Sequence, residues 1–178
     1  AATALDPARH VIIYLANPSL SRDDILYAVA IVPAKFDHAL RLSREGLRLT
    51  LLVESVAAAE ELVQHGLRHG HCHEVLIEID TDGHRSGLEP ADPRLDAVAR
   101  TLRTQGGHGA RLQGVMTHAG SSYALHTPDA LAAMAEQERA GCVDAAQRLR
   151  AAGHACAVVS VGSTPRYLPR PPQTPAII

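Results

Sequence analysis

The stretch Glu74-Val75-Leu76-Ile77-Glu78-Ile79-Asp80-Thr81-Asp82-Gly83-His84-Arg85-Ser86-Gly87 decides how the rest of the chain is read. It opens as a strand. Val75, Ile77 and Ile79 alternate with Glu74, Leu76, Glu78 and Asp80, so a period of two puts the branched residues on one face and the acids on the other. A half-solvated antiparallel strand has this pattern. The flanking segments, however, alternate between helical and extended patterns, which points to a parallel sheet covered by helices. In such a sheet the acidic face looks into a barrel or cleft, where a carboxylate needs a partner. Glu78 is therefore expected inside with Asp80, paired with Arg85 across the loop. The strand runs into a Gly-containing loop from Asp82 to Gly87. Loops at strand C-termini are where α/β proteins keep their chemistry.

Outward from this stretch, four further segments read as good strands: 25–32, 47–53, 111–118 and 155–161. A weaker candidate lies at 11–16. Between them fall helical patterns at 33–45, 56–65, 93–104 and 128–152. Pro33 suits a helix start, Ser55 suits an N-cap, and Gly46, Gly66 and Gly153 suit helix ends. Residues 1–22 read as an irregular lead-in and 166–178 as a Pro-rich irregular tail.

Composition narrows the function classes. With 46 % hydrophobic residues, 3 % aromatic and no Trp, the core must be filled by Ala, Leu and Val. A net charge of −2, from 17 basic and 19 acidic residues, gives no footprint for nucleic acid. No apolar run is long enough for a membrane span and no signal-peptide pattern opens the sequence, so the expected compartment is the cytoplasm. Three scattered cysteines, Cys72, Cys142 and Cys156, argue against a disulfide framework. The cluster His69, His71, Cys72 and His73 invites a metal reading, but its spacing matches no standard zinc pattern; a solvated loop is the favoured reading and no metal ligand is assigned. Lys35 is the only lysine.

Three consecutive strand ends carry unusual residues: Asp80 to Arg85, His118 to Tyr123, and Ser160 to Thr164. A right-handed β/α succession places all three on one edge of the sheet. They offer a guanidinium, an imidazole, a phenol and a small-residue loop suited to a phosphate.

The segments DILYAVAIVPAK (24–35), LTLLVES (49–55), VLIEIDTDGHRSGL (75–88), GVMTHAGSSY (114–123) and VVSVGSTP (158–165) resemble the D-threonine aldolase and D-serine dehydratase-like family. That family has the alanine racemase-type N-terminal barrel of fold type III and uses pyridoxal 5'-phosphate. The resemblance covers residues 23–165 and implies an incomplete TIM-type (β/α) barrel, about strands three to seven of eight. It implies a lyase that breaks C–C or C–O bonds in β-hydroxy D-amino acids. It places Arg85 beside the cofactor ring near the pyridine nitrogen and His118 against the ring face. Tyr123 would line the substrate side, and Gly162, Ser163 and Thr164 would hold the phosphate. The partner is a small amino-acid substrate, with a homodimer left open.

The family's Schiff-base lysine belongs to a motif expected before residue 1, and Lys35 matches the PAK segment instead. The catalytic residues are therefore unassigned. The divalent metal of full-length family members is expected on ligands outside this sequence. The chain reads as a partial barrel from a truncation, an expression boundary or a shifted reading frame, and Ala1 in place of Met fits processing. Two alternatives stay open: a non-catalytic barrel remnant that binds a phosphate-bearing ligand, and a metal-binding module on His69, His71 and His73.

Overall fold

Five strands and four helices alternate along the chain in a computed structural model that describes residues 24–162. The strand candidate at 11–16, the Pro-rich tail, Ser163 and Thr164 lie outside the described residues. The strands are β1 (Asp24–Ala30), β2 (Arg48–Val53), β3 (His73–Ile79), β4 (Ala110–Thr117) and β5 (Val158–Val161). The helices are α1 (Phe36–Arg44), α2 (Val56–His69), α3 (Arg94–Leu102) and α4 (Pro128–Ala151). Each strand pairs in parallel with its neighbours in sequence, in the order β1-β2-β3-β4-β5. The result is a curled half-barrel with helices on its outer face, the helix-covered parallel sheet expected from the alternation and the incomplete TIM-type barrel implied by the family resemblance.

The pleat sorts the side chains into two layers. Val75, Ile77 and Ile79 of β3 join Leu51 and Val53 of β2, Leu62 and Val63 of α2, Val98 and Leu102 of α3, and Ala145 and Leu149 of α4 in the outer core. On the inner face, Leu52, Leu76 and Met116 form a second cluster with Leu26, Ala28 and Val158 against it. Register makes that layer: Leu52 lies beside Leu76, Leu76 beside Gly114, and Gly114 beside Val158. Gly114 must be glycine, because a Cβ there would stand 1.8 Å from the Val158 carbonyl oxygen.

Helix boundaries follow local chemistry. Ser55 caps α2 by accepting from the Ala58 amide at 3.2 Å, and Thr127 caps α4 by accepting from Ala130 at 3.3 Å. In α4 the buried residues Glu138, Cys142, Ala145, Ala146 and Leu149 recur at helical spacing. Two boundaries and one burial pattern depart from the sequence reading. α2 runs through Gly66 to His69 and stops at Gly70, which takes the left-handed conformation with φ 59°. Gly66 is a packing glycine: a Cβ there would fall 1.9 Å from the carbonyl oxygen of Gly109. β5 starts at Val158 rather than 155, because the Arg150 guanidinium occupies the Cys156 carbonyl with bonds of 2.9 and 2.6 Å. β1 is covered less fully than its apolar run suggested, with Val29 43 % and the following Val32 52 % exposed.

Gly66→Ala tests the tight seat of α2 against the Gly109 backbone just before β4. Overpacking typically costs about 1–3 kcal/mol. Urea unfolding should show at least that loss, whereas an unchanged midpoint would show that the α2–Gly109 contact yields freely.

Candidate functional site

The C-terminal ends of β3, β4 and β5 share one edge of the half-barrel. The parallel register puts Ile79 beside Thr117 and Thr117 beside Val161, so the loops after the three strands leave at one level. The loop after β3 folds back on itself. Leu88 donates to the Glu78 carbonyl and accepts from the Asp80 amide, both at 2.9 Å. Asp80 Oδ1 accepts from the amides of Asp82 and Gly83 at 3.2 and 2.8 Å, an aspartate turn that starts the loop. Gly87 closes it with φ 121° and donates to Glu54 Oε2 at 3.1 Å.

The β3 and β4 loops are tied together. Asp82 Oδ2 accepts from the Ser121 amide at 2.7 Å, and the hydroxyls of Thr81 and Thr117 meet at 3.0 Å. These bonds bring Arg85 over the 3-10 turn at Gly120–Ala124. A Cβ on Gly120 would meet Arg85 Cγ at 2.8 Å, so the guanidinium stem lies directly against that backbone. From beneath, Glu138 of α4, almost fully buried, accepts from the Ala119 amide at 2.6 Å.

His118 ends β4 with its Nε2 3.1 Å from the Tyr123 hydroxyl, their ring centroids 5.8 Å apart. Partial burial and then the nearby Arg85 charge lower its pKa; Glu138, a hydrogen bond with the Gly162 backbone, and Asp82 act in the other direction. The imidazole is thus held toward its neutral form. Arg85, His118, Tyr123 and Gly162 gather on one edge. Ser163 and Thr164 continue from Gly162 outside the described residues.

Glu78 sits one pleat deeper. It is 6 % exposed, and its Oε2 has no hydrogen-bond partner. Burial and then the Glu54 carboxylate raise its pKa to about 7; a Ser86 side-chain bond and the Arg85 charge pull weakly the other way. The interior placement was legible in the alternation. The Arg85 ion pair was not realised: no ion pair joins the two among the described residues, because Arg85 lies across Gly120. Sequence reading also missed Glu54 and Glu138. The signal for Glu138 was an acid standing on the apolar stripe of α4, four residues before Cys142.

His69, His71 and His73 lie around the opposite end of β3 and do not converge on one point. His73 begins β3 buried, its pKa depressed to about 3 by burial and then by His71, His65 and His69. His71 meets it edge-on with centroids 4.7 Å apart. Cys72, Cys142 and Cys156 are free thiols, with Cys142 pushed to about 12 by burial.

The fold and this edge define a class: a parallel α/β half-barrel with a cation, an imidazole and a glycine backbone gathered at one rim. Residues 19–175 match the pattern of the alanine racemase N-terminal domain, and the chain belongs to that family, the pyridoxal-phosphate barrel of fold type III. The D-threo-3-hydroxyaspartate dehydratase of Delftia sp. (strain HT23) is 58 % identical over 146 residues, covering 82 % of this chain. The D-serine dehydratase of Dictyostelium discoideum is 29 % identical over 150 residues, 80 % of this chain. The chain spans 38 % and 37 % of the lengths of these two relatives. The solved Delftia dehydratase superimposes with a TM-score of 0.74 over 79 % of this chain and 36 % of that one. D-threonine aldolase from Filomicrobium marinum shares the fold, with a TM-score of 0.65 at 23 % identity over 75 % of this chain and 35 % of that one.

The Glu78 shift gives a signed pH dependence. Its folded pKa, about 7, lies above the ordinary 4.5, so the folded state binds the extra proton. That contribution is full below 4.5 and is lost as pH rises through 7. Glu78→Gln keeps the neutral shape. Its unfolding free energy relative to the parent should therefore grow between those two values and level off above them. A difference that stays constant with pH would show that Glu78 ionises freely.

Proposed function

We propose that this chain carries the barrel portion of a pyridoxal-phosphate-dependent lyase acting on β-hydroxy D-amino acids. The observation that carries the reading is the convergence of Arg85, His118, Tyr123 and Gly162 at the ends of β3, β4 and β5. The dehydratases similar to this chain support the substrate class, since 3-hydroxyaspartate and serine are both β-hydroxy amino acids. When bound, pyridoxal phosphate supplies the electron sink that lets bonds at an amino-acid α-carbon break.

The donor set fits such a group. Arg85 is a fixed cation for the ring-nitrogen side. His118, biased to its neutral form, offers an imidazole face without a competing charge. Gly162, with Ser163 and Thr164 beyond it, supplies the short-side-chain backbone that a phosphate needs. Tyr123 faces the substrate side, and its hydroxyl shares a proton with His118 Nε2 across 3.1 Å. Glu78, buried below them, has its pKa raised to about 7 by burial and by Glu54, so it carries a proton far more readily than an ordinary carboxylate beside that acid.

Lys35 is the only lysine in the sequence. It is exposed in the 3-10 turn Pro33–Lys35 after β1, three strands from β4. With about 4.8 Å between strands, that is roughly 14 Å along the sheet. On this reading Lys35 is not the residue that bonds the cofactor covalently, and the contacts at the ends of β3, β4 and β5 are non-covalent.

The free thiols suit a cytoplasmic location, and no helix among the described residues is long and apolar enough to cross a membrane.

Titration with pyridoxal 5'-phosphate, followed by cofactor fluorescence, should show weak saturable binding that Arg85→Ala and His118→Ala each weaken at least about tenfold, the loss of about 1.4 kcal/mol. Binding that ignores both substitutions would remove the site. Borohydride reduction and mass spectrometry should find no stoichiometric adduct on Lys35 and no turnover of D-threonine or D-serine. A stoichiometric Lys35 adduct, with lyase activity lost in Lys35→Ala, would overturn the non-covalent assignment.

A further inference from the structure

A second group of side chains lies away from the strand ends and takes no part in the reading above. His65 and His69 stand four residues apart on α2, so one helical turn stacks them on a single face, with ring centroids 4.5 Å apart. Asp37, in the first turn of α1, brings Oδ1 to 3.0 Å from His65 Nε2 and 4.0 Å from His69 Nε2. One donor atom from each residue lies within 4.8 Å of the other two. A tetrahedral zinc ion bonded at about 2.0–2.2 Å needs donor atoms about 3.3–3.5 Å apart. Small rotations of Asp37 and His69, both exposed, would close the set.

The surroundings of His65 are those of a metal ligand rather than of a surface histidine. Its side chain is 5 % exposed. Phe36 packs edge-on against the ring at 5.4 Å and fixes its plane. Its Nδ1 lies 3.1 Å from Nε2 of the buried His73. An imidazole that hydrogen-bonds through one nitrogen to a fixed partner presents the other to a metal, the outer-shell arrangement common among ligating histidines. Two cations oppose binding: Arg44, which donates to the His69 carbonyl at 3.0 Å, and Arg68. Both are exposed and screened by water, whereas the donors are in contact range.

We propose that Asp37, His65 and His69 bind one late first-row divalent cation of the zinc type, through two imidazole nitrogens and one carboxylate oxygen, with water completing the shell. Two nitrogen donors select zinc over magnesium or calcium, which take oxygen. Bound there, the ion clips the first turn of α1 to the last turn of α2. The site is independent of the pyridoxal-phosphate reading.

The test is calorimetric titration of the chelator-treated 178-residue chain with zinc chloride, with magnesium chloride as the comparison and the melting temperature as a second readout. One equivalent of zinc should bind and raise the melting temperature, while magnesium should do neither. Asp37→Ala and His69→Ala change exposed side chains, so each should fold as the parent does. Each should weaken zinc binding at least about tenfold and abolish the thermal shift, and His108→Ala should change neither. Absence of zinc uptake would overturn the proposal. So would zinc uptake that both substitutions leave intact, which would place the metal on other groups such as His71 and Cys72.

Discussion

A strand buried on both faces has no solvent-facing side for a charge, and β3 carries a carboxyl there. Val75, Ile77 and Ile79 must face the helices, because they complete the outer core. The pleat then forces Leu76 and Glu78 inward, whatever the chemistry of their side chains. Leu76 is accommodated by Leu52 and Met116. Glu78 is accommodated by holding its proton, since burial and Glu54 both penalise the anion. The loop that follows folds back on the strand: Leu88 donates to the Glu78 backbone carbonyl, and Gly87 donates to Glu54. The ordered loop thus follows from one alternation, and the loop is what carries Arg85.

Arg85 shows how tertiary contacts redirect a side chain that sequence logic assigned elsewhere. A buried acid and a nearby arginine suggest an ion pair. In the folded chain, Asp82 binds the Ser121 amide and draws the loop toward the turn at Gly120, where the arginine stem finds open backbone. The guanidinium stays at the rim, near enough to bias His118 toward neutrality. Glu78 is therefore a carboxyl whose pKa is raised to about 7, not the charged partner of Arg85 that its position implied.

Close backbone approach governs the outer layers. Gly66 lets α2 pass over the Gly109 carbonyl, and Gly114 lets β4 press against β5. In a sequence both read as breakers or neutral spacers, because a glycine's use depends on what stands opposite it. The same holds for Glu138. A buried acid on an Ala-rich stripe is anomalous until the Ala119 amide is found beneath it.

The sequence by itself determined the parallel α/β class, the strand count within the described residues, the inward face of β3 and the edge shared by Arg85, His118, Tyr123 and Gly162. Those follow from periodicity and from right-handed crossovers, which are local rules. The family resemblance was legible in five short motifs for the same reason: each spans one strand and the residues that follow it. Only the tertiary structure decided the extent of α2, the late start of β5 at Val158, the lack of an Arg85 ion pair at Glu78, and the meeting of Asp37 with His65. These depend on which groups approach within 3 to 4 Å across elements far apart in the chain. The Asp37–His65 contact joins residues 28 apart, and no local pattern encodes such a distance.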